Sequence, residues 1–235
     1  MDVRVGTSGF SYPEWKGTFY PKDLPAAKML AYYAERFGTV EANNTFYRLP
    51  KPQMLTDWAA KVPESFRFVV KASQRITHHK RLKDCEDVTQ YFLETVQALG
   101  SKLGPLLFQL PPYLKKDLPR LSDFLQTIPK TFQVALELGD VSWHADDVYE
   151  LLREHNVSVV QVDDDKRPLS LTQTADFGYL RLRRVEYTDA ELAAWAARVL
   201  STPWKHAWIF FKHEDEGTGP KLARAFMAHL PGASG

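Results

Sequence analysis

Glu41, Asn43, Lys71, Gln109, Glu137, Asp163 and Arg181 each stand at or just past the end of a short apolar run. The runs are Val3–Gly6, Val40–Ala42, Phe66–Val70, Leu106–Phe108, Phe132–Leu136, Val157–Val162, Phe177–Leu182 and Ala207–Phe211. Carboxylates such as Glu41 and Glu137 can divide general acid and base work, with Asp163 a third candidate. Lys71 is the amine among them, and Arg181 can hold an anion through charge-assisted hydrogen bonds. Asn43 and Gln109 offer amides that orient a ligand. Side chains along a strand alternate between two faces. Glu41 shares a side with Asn43, Val69 with Lys71, Leu107 with Gln109, Ala135 with Glu137, Gln161 with Asp163, and Tyr179 with Arg181 and Arg183. One register therefore sends all seven polar residues inward together. The bland alternative is a buried ion-pair network in which Lys71 or Arg181 satisfies Glu137 or Glu41.

Other residues add to this set. Lys71, Arg75, Lys80, Arg81 and Lys83 form a basic run with His78 and His79, and it contains no acid. Joined to Arg181, Arg183 and Arg184, it suits a phosphate, a carboxylate or a nucleic-acid backbone. Trp15, Tyr20, Tyr47, Tyr113 and Trp143 offer flat faces for sugars or bases. Gly217-Thr218-Gly219-Pro220 opens the last helix, where backbone amides can cup a phosphate, but Glu214-Asp215-Glu216 precede it and oppose an anion. A divalent metal on His78, Glu137, Asp163 or His213 is not supported by any diagnostic spacing, so no metal site and no cofactor is assigned. There is no Gly-x-Ser-x-Gly elbow, dinucleotide fingerprint or Walker motif.

Short apolar runs bounded by turn residues read as buried parallel strands. Helical patterns separate them: Pro25–Phe37, Pro52–Ala60, Glu86–Lys102, Leu118–Ile128, Ala145–His155, Asp189–Leu200 and Lys221–Leu230. Strands alternating with helices predict an α/β chain, and eight such runs in 235 residues predict a TIM-type (β/α)8 barrel. The crossover at Lys166–Asp176 is short and is expected to be degenerate. A single domain is expected over 1–231, with 232–235 a frayed tail. Two connections are long, Gly9–Leu24 and Ala72–Cys85, and both are expected to rise over the ends of the strands.

The net charge of +1 is low for a protein built mainly to neutralise nucleic-acid phosphates. No apolar stretch approaches the roughly 20 residues of a membrane helix, no signal peptide is expected ahead of the first strand, and cytoplasm is the expected compartment. The single cysteine, Cys85, beside Asp84, Glu86 and Asp87, reads as an unreactive thiol.

The chain resembles the YecE-like family, the domain of unknown function 72. The resemblance lies in Gly6-Thr7-Ser8-Gly9-Phe10-Ser11-Tyr12, Trp15, Gly17, Phe19-Tyr20-Pro21, Val40-Glu41 with Asn43 and Thr45-Phe46-Tyr47, and Phe66 to Lys71. It continues through Ile76-Thr77-His78, Lys102-Leu103-Gly104-Pro105, Phe108-Gln109-Leu110-Pro111-Pro112, Glu137 and Ser142-Trp143. It implies a TIM-type barrel and brings no agreed activity, substrate or cofactor. The chain resembles a divergent branch. After Glu137 it has Leu138-Gly139-Asp140 where Arg-His is common. Arg183-Arg184 replace a His-Gly pair, and Phe211-Lys212-His213-Glu214-Asp215 stand where Phe-Asn-Asn-Asp is common.

Three functions follow as expectations. The first is a hydrolase-like enzyme that binds a small anionic or phosphate-bearing ligand, held by Lys71, Arg181 and His78 with Glu137 or Glu41 as base. The second is a carbohydrate enzyme using Glu41 and Glu137. The third is a non-catalytic module for nucleic acid or protein, stacking bases on Trp15 and Tyr20. No membrane partner is expected, and oligomeric state is not legible.

Overall fold

The protein was analysed as a computed structural model, which describes residues 1–164, 171–212 and 216–232. Each apolar run forms a strand: β1 (Asp2–Thr7), β2 (Thr39–Ala42), β3 (Arg67–Lys71), β4 (Leu103–Gln109), β5 (Val134–Glu137), β8 (Phe177–Leu182) and β9 (His206–Phe211). The run at 157–162 is broken at Val160 into β6 (Val157–Val159) and β7 (Gln161–Asp163). All pairings are parallel, as the lack of strict polar alternation requires of strands covered on both faces.

The expected closed barrel is not what forms. The ladders make two open sheets, one of four strands in the order β1-β9-β8-β7 and one of five in the order β2-β3-β4-β5-β6. Side-chain hydroxyls occupy the places where the ladders stop. Between β1 and β2, the Tyr33 hydroxyl lies 2.9 Å from the Thr7 amide, which donates to it, and donates to the Thr39 carbonyl at 3.1 Å. At the outer edge of β6, Thr174 Oγ1 accepts from the Val159 amide at 2.8 Å and donates to the Val157 carbonyl at 2.7 Å. Each hydroxyl satisfies backbone groups that a neighbouring strand would otherwise take. The two sheets still face one another across a shared core of Val69, Leu107 and Ala135 from one sheet and Phe177, Tyr179 and Phe210 from the other.

The opposite faces of the strands carry Phe68, Leu106, Leu136, Leu180 and Phe211 into a second, larger core beneath the helices. Those helices are α1 (Met29–Ala34), α2 (Asn44–Tyr47), α3 (Pro52–Ala59), α4 (Glu86–Val96), α5 (Leu118–Gln126), α6 (Asp146–Glu154), α7 (Asp189–Leu200) and α8 (Thr218–Met227). Their starts follow local chemistry. Pro52 opens α3 and Asp117 caps α5. Thr188 and Glu191 close a reciprocal capping box on α7. The helical pattern expected over Glu86–Lys102 divides at Val96, followed by a tighter turn with Gly100 at φ +54°. Residues 171–176 hold no helix; the rest of the crossover, at 165–170, lies outside the described residues, as do His213, Glu214, Asp215 and 233–235. No helix among the described residues is long and apolar enough to cross a membrane.

Both long connections are built differently from open loops. Gly9–Leu24 folds inward: Trp15 stacks on Tyr20 at 6.0 Å, and Phe19 meets Tyr32, Tyr33 and Phe37 of the α1 region. The connection after β3 contains a wide helical turn at Arg75–His79, and Arg81, Leu82 and Asp84 follow it with positive φ. Left-handed backbone at three non-glycine residues is costly and is held here by the burial of Leu82 and Cys85. Burial pushes the Cys85 thiol up.

Candidate functional site

The site begins with one cation between two carboxylates. Arg181, near the end of β8, is 2% exposed. Its Nη2 donates to Glu41 Oε1 at 2.7 Å and its Nη1 to Glu137 Oε2 at 2.6 Å. Glu41 stands one residue before the end of β2 and Glu137 ends β5, so the guanidinium of β8 ties the two sheets together. Each carboxylate accepts two further hydrogen bonds. Tyr179, two residues before Arg181 and on the same face, donates to Glu41 Oε2 at 2.6 Å, and Asn43 Nδ2 donates to Oε1 at 3.1 Å. Gln109 Nε2 donates to Glu137 Oε1 at 2.7 Å, and Arg183 Nη2 to Oε2 at 3.0 Å.

These contacts decide the protonation states. Burial alone would raise both carboxyls. For Glu137 the Arg181 and Arg183 charges outweigh it and bring the pKa down to about 2. For Glu41 the Arg181 charge and the Tyr179 hydrogen bond also win, and its pKa is lowered. Burial and the adjoining Glu41 charge push the Tyr179 hydroxyl well up, so it stays a donor. Both acids are thus anions at neutral pH, each already accepting three hydrogen bonds. A poor base is the chemical consequence.

Lys71 stands apart from that network. It ends β3 with 8% exposure, and its Nζ lies 4.0 Å from the centre of the Phe46 ring. No carboxylate among the described residues lies within ion-pair distance of it. Burial and the Arg181 charge lower its pKa to about 8, against the opposing pull of Glu41 and Glu137. His78 packs edge-on to the same Phe46 ring at 5.0 Å, with its Nδ1 on Thr77 Oγ1 at 2.9 Å. Burial, then Lys71 and His79, lower its pKa and keep the imidazole neutral. Exposed Tyr47 packs on Phe46 from another side, and the Tyr113 hydroxyl reaches the His78 carbonyl at 3.4 Å. Phe46 is therefore the floor on which Lys71, His78 and Tyr47 converge, and the family motif Thr45-Phe46-Tyr47 was its only trace in the sequence.

Some expected members are elsewhere. Asp163 does not join the inward set. It pairs in register with Leu182, which lies in the core under the helices, whereas Val162 pairs with Arg181 and packs on the inner core. Apolar residues occupy both faces of 157–162, so the pattern there did not settle which face is which. Asp163 instead faces the Tyr187 hydroxyl, next to Arg184, and Arg184 donates to Glu191 of α7 at 2.5 Å rather than entering the basic patch. Trp15, Tyr20 and Trp143 are 1%, 1% and 0% exposed and present no stacking face. Trp143 Nε1 donates to the Leu114 carbonyl at 2.7 Å, and the Tyr20 hydroxyl bonds the Phe10 carbonyl.

Gly139-Asp140 builds the turn that seats Trp143. A Cβ at Gly139 would stand 2.3 Å from the Leu110 carbonyl oxygen. Asp140 Oδ1 accepts from the Ser142 amide at 2.9 Å and the Ser142 hydroxyl at 2.6 Å. The start of α8 is likewise packed: a Cβ on Gly217 would meet Thr18 Oγ1 at 2.6 Å.

Asn43 also lines a cavity of about 140 Å³ with Gly9, Phe10, Ser11, Tyr12, Ala42 and Asn44. A larger cavity, about 750 Å³, lies at the other end of the strands beside Asp2, Arg4 and Met227, away from the reactive groups. In α/β sheets ligands bind outside the carboxyl ends of the strands, so the Lys71 end is the relevant one. Among the described residues no group of three or more His, Cys, Asp or Glu side chains could hold a metal ion.

The comparisons agree with one another. The family model described as "Protein of unknown function DUF72" matches residues 4–234. The UPF0759 protein YecE of Escherichia coli is 30% identical over 171 residues, spanning 71% of this chain but only 60% of YecE. A solved DUF72 family protein of Thermotoga maritima is 29% identical, with a TM-score of 0.82 over 97% of this chain and 98% of that one. One from Enterococcus faecalis, at 21% identity and a TM-score of 0.77 over 96% of each chain, shows the fold alone. On the extent of that match, from the first strand to beyond the last helix, the chain belongs to the DUF72 family.

Proposed function

We propose that the protein binds a compact anionic metabolite, carrying a carboxylate or a phosphate, at the carboxyl ends of β3 and β8. One observation carries the reading. Three cations, Lys71, Arg181 and Arg183, stand with two carboxylates, and Lys71 has no carboxylate partner among the described residues. Arg181 Nε and Arg183 Nε are buried and also lack partners. Buried donors and an excess positive charge are satisfied together by an entering anion. Arg183, with its side chain 21% exposed, is the guanidinium in reach of solvent, while the Arg181 side chain is 2% exposed.

The expectation that Glu137 or Glu41 acts as base loses support, because both carboxyls are held below their ordinary pKa. The paired-acid carbohydrate reading weakens for the same reason: it needs one carboxyl with a raised pKa. Hydrolysis therefore has to be sought with a base other than these two.

The test is thermal unfolding with inorganic phosphate, sulfate and acetate, each against sodium chloride at equal ionic strength. A saturable rise in Tm, lost in Arg183→Gln, is expected. A rise that follows ionic strength alone, or survives unchanged in the variant, contradicts the reading. Turnover of phosphoester substrates, with and without divalent metals, tests the hydrolytic extension.

A further inference from the structure

β1 and β2 meet in a bridge between Ser8 and Glu41 at their carboxyl ends, and among the described residues no ladder joins them toward their amino ends. The cavity of about 750 Å³ lies at those amino ends. β1 lines it with Asp2 to Val5, and Gly38 and Ser65 line it just ahead of β2 and β3. α8 adds Arg224, Met227 and Ala228, which share a helix face at i, i+3 and i+4. A space of this size suits a small organic ligand. Val3, Val5, Met227 and Leu230 make its lining apolar and continuous with the core beneath the helices. Gly38 leaves it open: a Cβ there would meet no atom within 4 Å, and its φ is one that other residues adopt.

Two guanidiniums belong to the same lining. Arg4 is already engaged: its Nε donates to Asp2 Oδ2 at 2.9 Å and its Nη1 to the Ser65 carbonyl at 2.9 Å. Arg224 is not. Its guanidinium carbon lies 5.3 Å from the centre of the Phe19 ring, and no carboxylate among the described residues pairs with it. A helix carboxyl end ordinarily repels an anion through its free carbonyls. Here the amides of Ala228, His229 and Leu230 donate back to the carbonyls of Arg224, Phe226 and Met227, which blunts that repulsion.

We propose that this cavity binds a medium-chain carboxylic acid, with its carboxylate on Arg224 and its chain against Val3, Val5, Met227 and Leu230. The apolar wall and the unpaired guanidinium line one space, and an amphipathic anion satisfies both. A neutral chain would bury the same apolar surface and leave Arg224 without a partner. The site lies at the opposite end of the strands from Lys71 and is independent of the anion site proposed there. Its ligand would touch β1, the residues ahead of β2 and β3, and α8 together, and so hold the parted ends of the two sheets.

Calorimetric titration of the intact protein with decanoate, below its micellar concentration, tests this. Decanol supplies the chain alone and acetate the carboxylate alone. One saturable site for decanoate is expected, with decanol weaker by roughly tenfold and acetate weaker still. Gly38→Phe, which puts a ring into the open space, should abolish decanoate binding while the variant still melts as a folded protein. Arg224→Gln, at an exposed position, should bring decanoate down to the level of decanol. It decides the matter alone if Gly38→Phe does not fold. No saturable binding, decanoate no tighter than decanol, or undiminished binding in Arg224→Gln overturns the proposal. Saturating inorganic phosphate, matched in ionic strength with sodium chloride, should leave decanoate binding unchanged. Competition would place decanoate at the Lys71 end and overturn it as well.

Discussion

Arg181 and Glu41 meet at 2.7 Å across the two sheets, 140 positions apart in the chain. Glu41 is 0% exposed and Arg181 2%, so neither charge has water to fall back on. Removing one member of such a pair strands the other, which typically costs about 3–5 kcal/mol. Arg181→Met should cost that much or more, since it strands Glu137 as well. Adding Glu41→Gln to it should recover part of the loss. Urea unfolding of the two single variants and the double variant measures this; additive losses would show that the pair is not coupled.

Glu137 makes acid stability specific. Its folded pKa of about 2 lies below the ordinary 4.5, so its ionised form stabilises the fold above about 4.5. That contribution is lost as pH falls from 4.5 toward 2, and each pKa unit is about 1.4 kcal/mol, giving about 3 kcal/mol in all. Glu137→Gln should therefore lower stability at pH 7 and flatten the stability profile below pH 4.5. A variant that melts like the wild type, with the same acid limb, would remove Glu137 from the ion-pair network.

Lys71 acts at the alkaline end. Its folded pKa of about 8 lies below the ordinary 10.5, so the unfolded chain binds more protons at this site between those values. Stability then rises with pH across that window, because the cost of burying the ammonium is lifted. Glu41, Glu137, Arg181, Arg183 and His78 are the charged and titratable groups that set the cost. Lys71→Met should raise stability at pH 7 by about 1–3 kcal/mol and remove the alkaline gain relative to wild type. The difference between the two unfolding free energies at pH 7 and pH 10.5 decides it; a destabilised variant would mean that Lys71 is a structural cation.

Tyr33→Phe tests the seam between the sheets. It leaves the Thr7 amide and the Thr39 carbonyl without the hydroxyl that serves both. Losing a buried hydrogen-bond partner costs about 1–3 kcal/mol. Faster amide exchange at Thr7, with β9 protection unchanged, should accompany the loss; unchanged exchange would show that β1 and β2 hold together without it.

Strand positions and the inward placement of Glu41, Lys71, Gln109, Glu137 and Arg181 were legible in the sequence because each strand there has one polar face near its end. The face of Asp163 was not, because 157–162 is apolar on both sides and the chain changes sheets at Val160. Closure into a barrel was overestimated for a related reason. Nothing in a hydrophobic pattern reveals that one tyrosine hydroxyl and one threonine hydroxyl will occupy the edges of the ladders. Trp15, Tyr20 and Trp143 read as binding faces because an aromatic residue in a long connection looks the same whether it packs inward or outward. The family resemblance marked the residues of the site but carried no role for any of them.

The central claim is an uncompensated, titrating amine that an anion completes. Selective 13Cε labelling of lysine allows the Lys71 resonance, assigned through Lys71→Arg, to be followed over pH with and without inorganic phosphate. A midpoint near 8 is expected in the free protein, moving upward when phosphate is bound. A midpoint at the ordinary 10.5, indifferent to phosphate, would contradict it.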